Sequence, residues 1–119
     1  NMAKKFTGRA YINVPGFGRL PTEKGSTLEL NGVTKEAVPT DSGIAGFRDG
    51  DPVPGKIELS VHHHKDISIQ QLQDFTGNID FETDTGVSFK AVDCVCENPL
   101  SLSGGMIPAV FLAVRVEEQ

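Results

Sequence analysis

Two stretches carry side chains in arrangements that chemistry uses. Asp84-Thr85-Gly86 is the tripeptide that holds the reactive carboxylate in acid proteases, and His62-His63-His64 places two imidazoles on one face of any strand containing them. An aspartate dyad works only when both carboxylates are buried between apolar strands and share one proton. Here Glu82-Thr83 precedes and Val87-Ser88 follows the tripeptide, and no apolar pair with a glycine and an arginine lies downstream to brace a dyad. The tripeptide is a turn. His62 and His64 need further ligands to hold zinc or iron. Asp66 is the nearby carboxylate and there is no fourth histidine, so these are histidines at a strand end and no metal is expected. Cys94 and Cys96 sit two apart, too close for a useful disulfide and without companions for zinc, and are expected as reduced, buried thiols. Gly16-Phe17-Gly18 does not open a helix as a phosphate loop does, and no serine or cysteine has a base at a motif spacing. No catalytic residue, metal or cofactor is expected, and the chain is not expected to be an enzyme.

Composition sets the class. The 119 residues suit a single domain, residues 1–119, and the 13 glycines, seven prolines and absence of tryptophan favour short strands and many turns over a helical bundle. A net charge of −5 without a basic cluster argues against gripping nucleic acid, which needs concentrated Lys and Arg, and suits a surface that nucleic acid slides past. No secretory leader and no membrane-length apolar run is read from the sequence, so folding in the cytoplasm is expected.

The clearest element is the hairpin at 78–93. With Asp84-Thr85-Gly86 as its loop and Gly86 in the left-handed conformation, Thr83 closes on Val87. Phe81 then faces Phe89 and Ile79 faces Ala91 on the inner side, with Asp80 opposite Lys90 and Glu82 opposite Ser88 outside. A slip by one residue would bury Asp80 and Glu82, which fixes the register. Upstream, 7–14 and 26–30 alternate as strands, and Asn31-Gly32 predicts a two-residue hairpin returning through 33–38. Residues 37–55, with Pro39, Pro52, Pro54 and several glycines, predict a long protruding loop. Ile44 and Phe47 within it need a surface to cover them, and a neighbouring subunit is the expected one. Residues 56–64 alternate as a strand. Ser68 and Gln71 form a capping box for a helix at 69–75, closed by Gly77. Residues 94–102 predict a strand broken at Pro99. Residues 106–116 are apolar on both faces, with Pro108 marking an edge or a bulge, and 117–119 form a solvated tail. The fold expected is mainly β: a small barrel or sandwich of two packed antiparallel sheets, flanked by one short helix, with the long loop.

The order of these segments carries a resemblance. It runs Gly8-Arg9-Ala10-Tyr11-Ile12, Leu28-Glu29-Leu30-Asn31-Gly32-Val33-Thr34, the loop with Gly46-Phe47, Ile57-Glu58-Leu59, the 69–75 helix, Phe81-Glu82-Thr83-Asp84-Thr85-Gly86 and the last apolar strand after Gly105. Over nearly the whole chain this resembles the tail tube proteins of contractile-tailed, Mu-like bacteriophages and prophages. The resemblance implies a virion structural subunit that self-assembles into stacked, hexameric rings forming the channel for genome delivery. It implies contact with tail sheath, baseplate and tail-terminator proteins, DNA passing through the lumen without specific binding, no membrane, and assembly in the host bacterial cytoplasm before incorporation into the virion tail. The expected oligomer contact takes Ile44, Phe47 and Val53 from the loop and Phe111 and Val114 from the last strand. The competing expectation is a monomeric β-barrel binding module that captures a ligand or peptide with the 37–55 loop.

Overall fold

The computed structural model describes residues 5–8, 10–21, 26–63 and 65–119. The first strands are β1 (Lys5–Gly8), β2 (Ala10–Val14), β3 (Gly18–Pro21), β4 (Ser26–Glu29), β5 (Gly32–Thr40), β6 (Gly43–Val53) and β7 (Gly55–His62), with burial alternating along β4 and β7. After one short helix, α1 (Ile69–Gln73), come β8 (Thr76–Thr83), β9 (Ser88–Cys96), β10 (Met106–Ala113) and β11 (Arg115–Glu118). Among the described residues nine strands form one antiparallel sheet in the order β1-β4-β7-β10-β9-β8-β2-β3, with β11 also paired to β9, while β5 and β6 form a separate two-stranded ribbon. Only Arg9 separates β1 from β2 in the chain, yet β1 lies at one edge of the sheet and β2 beside the other. The sheet therefore doubles back on itself, and among the described residues no ladder joins β1 to β3 to close a barrel.

The folded-back inner face is the core. Ile57, Leu59 and Val61 of β7 point into it, as do Ile107, Ala109, Phe111 and Ala113 of β10. Ile12, Leu28, Ile79 and Phe81 pack with them. Leu72 of α1 is buried and Phe75 meets Phe111 edge-to-face at 6.4 Å, so the helix covers one side of that core. Ser68 caps the helix as its sequence predicts, accepting from the Gln71 amide at 3.2 Å. The helix is shorter than predicted. It ends on Asp74, and Gly77 with a φ of +139° already belongs to β8.

The 78–93 hairpin has the predicted register residue for residue, Phe81 opposite Phe89, Ile79 opposite Ala91, Asp80 opposite Lys90 and Glu82 opposite Ser88. Thr83 closes on Val87 through a 2.8 Å backbone bond, and Gly86 has a φ of +91°. A bulge then intervenes: β8 advances two residues from Gly77 to Ile79 while β9 advances three from Ala91 to Cys94. Asp93 takes the extra position at a φ of +55°, its amide donating to Asn78 Oδ1 at 3.1 Å. The bulge reverses the parity of β9, so Ala91 and Cys94 both face the core. β9 consequently runs on to Cys96 as the second half of the same hairpin, and the strand predicted for 94–102 ends there.

Three further expectations change. Asn31-Gly32 does not turn β4 into a hairpin, because β4 pairs with β1 and β7 and β5 pairs with β6. The segment predicted as an irregular loop is the β5–β6 ribbon, with its tip at Asp41-Ser42. The predicted tail is β11, laid along β9 with Val116 opposite Ala91. Pro108 does sit at an open margin. β9 joins β10 only at Phe111 and Leu112, leaving the first half of β10 with β7 alone as its ladder partner.

Candidate assembly surface

Ribbon strands of nine and eleven residues span about 30 Å at ~3.3 Å per residue. That length accounts for a molecule measuring 63 Å along one axis and 30 and 25 Å along the others. The ribbon is pinned at its base. Asn31 Oδ1 accepts from the Val116 amide at 2.8 Å, and a side chain at Gly55 would lie 2.4 Å from Val116 Cγ2. A glycine there lets the chain leave the ribbon and enter β7 against β11.

Two bulges on β6 decide what the ribbon displays. Pairing shifts between Val38 and Pro39, where Gly46 is followed by Ile44 as the next partner and Ala45 is the extra residue. In a regular strand Ile44 and Phe47, three apart, would point to opposite faces. With Ala45 inserted, Ile44 lies opposite Pro39 and Phe47 opposite Ala37, all on one face. Ile44 is 58% and Phe47 72% exposed, and Ala37 and Pro39 are exposed beside them. The same face carries the Lys35–Asp49 ion pair nearer the base, while Arg48 Nε meets Glu36 Oε1 at 3.0 Å on the other face. Both pairs are exposed and contribute little to stability, but they consume the ribbon's positive charges and leave Asp41 at the tip without a partner among the described residues.

The other expected contact residues separate. Val53 is half-buried at the ribbon's base, opposite Gly32. Val114 is 63% exposed at the bend between β10 and β11, its amide donating to Val92 O at 2.9 Å. Phe111 is 1% exposed and packs against Phe75, so it belongs to the core and has no surface to offer. The outward residues of β10, Val110 and Leu112, are half-buried with Val95 of β9 opposite Leu112 and 46% exposed. The two-faced apolar sequence of β10 signals this stripe. Val95 was hidden from sequence reasoning because the Asp93 bulge reverses the alternation of β9.

The hairpin-tip aspartate, the strand-end histidines and the cysteines lie on different elements. Asp84 is exposed at the hairpin tip, where Thr83 Oγ1 accepts from the Val87 amide at 3.1 Å. His62 and His63 are exposed at the end of β7, and His64 lies outside the described residues. Among the described residues no three His, Cys, Asp or Glu side chains are grouped to hold a metal. Both cysteines are reduced. Cys94 is buried, and that burial pushes its thiol up to about 11. Cys96 is half-buried and raised for the same reason, its Sγ donating to Asn98 O at 3.0 Å.

A folded-back sheet carrying a projecting ribbon with an exposed apolar face is the architecture these strands build. Residues 3–118 match the family described as phage tail tube protein, and the chain belongs to that family. The solved structure of the anti-feeding prophage cap, a tube-terminating cap determined by cryo-EM, has the same fold. It superposes with a TM-score of 0.67 at 13% sequence identity, over 96% of this chain and 89% of that one. No curated protein sequence matches. The role of the chain is that of a structural protein of a phage tail tube, and its place is the virion tail. No helix among the described residues is long and apolar enough to cross a membrane.

Proposed function

We propose that the chain is the repeating subunit of the tube in a contractile, Mu-like phage or prophage tail. Subunits close into hexameric rings, the rings stack, and the genome passes through the lumen within the sheath. Tail sheath, baseplate and tail-terminator proteins are its other partners, and assembly takes place in the host cytoplasm. The observation that carries this is the apolar face of the ribbon, with Ile44 and Phe47 aligned by the Ala45 bulge and exposed about 17–23 Å along the ribbon from its base. Burying a phenylalanine side chain stabilises by roughly 1.5–3 kcal/mol, and Phe47 is left 72% exposed by its own subunit. A head-to-tail contact repeated around a closed ring gives every ribbon the same cover and leaves no lateral surface unsatisfied. Val53 and Val114 extend the contact at the ribbon base and the β10–β11 bend. The net charge of −5 suits a channel along which DNA slides without adhering. The monomeric binding module is the weaker reading, since clefts in the sheet surface at Val110 and at Phe89 are lined by none of the ribbon residues.

The test is Phe47→Ala. The variant is expected to fold as the native chain does and to remain monomeric in sedimentation velocity at concentrations where the native chain associates. Undiminished assembly of the variant would remove the ribbon from the contact.

A further inference from the structure

A head-to-tail ring needs a seat as well as an inserted ribbon. We propose that the outward face of β10, from Met106 to Leu112 with Val95 beside it, receives the ribbon of a second copy, Phe47 entering the cleft at Val110 and Asp41 meeting Lys65. This rests on the ring reading above and names its other half.

Shape, polarity and charge argue for it. Pro108, Val110, Leu112 and Val95 make an uncharged stripe bordered on β7 by the Lys56–Glu58 pair, and the distal ribbon face of Ala37, Pro39, Ile44 and Phe47 is likewise uncharged beyond its Lys35–Asp49 pair. A cleft of about 350 Å³ opens at Val110 between Ser60 and Glu58 on one side and Asn98, Pro99 and Leu100 on the other, room for a phenyl ring. None of the ribbon's residues lines this cleft in its own subunit. The spacing agrees at both ends. Asp41 lies four residues beyond Ala37, the partner of Phe47, and Met106 lies four residues before Val110, each about 13 Å at ~3.3 Å per residue. At the Met106 end stand His62, opposite Met106, then His63 and Lys65. Lys65 is exposed and, like Asp41, has no ion-pair partner among the described residues. An unpaired carboxylate on the ribbon tip thus meets an unpaired ammonium at the end of the seat, which fixes the direction in which the ribbon lies.

Complementation tests it. Phe47→Asp spoils the ribbon and leaves the seat; Val110→Asp spoils the seat and leaves the ribbon. Val95→Asp, at an exposed position, serves the same purpose if Val110→Asp does not fold. Each variant alone is expected to sediment as a monomer. An equimolar mixture is expected to form a one-to-one dimer and to stop there, since it has one working ribbon and one working seat. Asp41→Lys and Lys65→Asp are each expected to raise the concentration for half-assembly about threefold, and the double reversal to restore it. Native-like assembly of the folded seat variants, or a mixture that stays monomeric while the native chain assembles, would overturn the seat and leave the ring reading standing. A native chain that never associates would overturn both.

Discussion

At the scale of single residues, the two phenylalanines assigned alike by sequence have opposite tasks. Phe47 is exposed on a ribbon and Phe111 is buried against Phe75. Phe111→Ala should cost about 3–5 kcal/mol in denaturant unfolding, the range for emptying a core aromatic site. Phe47→Ala should stay within about 0.5 kcal/mol of the native chain, as exposed substitutions do, and differ from it in assembly alone. If both lowered stability equally, the ribbon would be packed on its own subunit. Cys94 gives a prediction in pH. Its folded thiol is pushed up to about 11 by burial from an ordinary value of 9.0, so the native state holds its proton more tightly than the unfolded chain. The stability this contributes is complete below about pH 9 and is lost as pH rises towards 11. Unfolding titrations across that window should show the decline, and Cys94→Ala should flatten it. A decline unchanged in the variant would assign it to other groups. Cys96, only half-buried, should react with a thiol reagent well before Cys94 does.

At the scale of elements, what local chemistry dictates was legible and what distant pairing dictates was not. The 78–93 register follows from Phe81, Phe89, Asp80 and Lys90 because a slip would bury charge, and Ser68 caps its helix by a contact three residues long. The ribbon escaped because its sequence reads as loop. Both ribbon strands are edge strands with one side unpaired, so Pro39 and Pro52 are tolerated where a central strand would exclude them. Glycines and two bulges further mask the period of two. Asn31-Gly32 misled for the opposite reason. It is a strong local turn signal, but β4 finds its partners in β1 and β7, and Asn31 spends its side chain on Val116, 85 residues away. At the site, Ile44 and Phe47 were visible as apolar residues out of place, whereas their common face depends on a bulge at Ala45 that no sequence pattern announces. A two-stranded ribbon is marginally stable in water on its own. Replacing residues 34–51 by a short Asn-Gly turn should therefore leave the thermal unfolding of the sheet nearly unchanged while abolishing association. A large drop in melting temperature would mean that the ribbon supports the sheet.

At the scale of the whole molecule, the sheet and the ribbon divide the work. The sheet doubles back to enclose a core around Phe81, Phe111 and Ile57. The ribbon leaves that core with Ile44 and Phe47 exposed, and in the proposed ring a neighbouring copy covers them in the same way for every subunit. Closure into a ring follows when the contact is head-to-tail and the rotation between neighbours closes. The most direct test is negative-stain electron microscopy of the concentrated, purified chain. Rings with a central hole and six-fold symmetry, or stacks of such rings, are the predicted result. Uniform small particles without a hole at every concentration, matched by a monomer in sedimentation, would contradict the account.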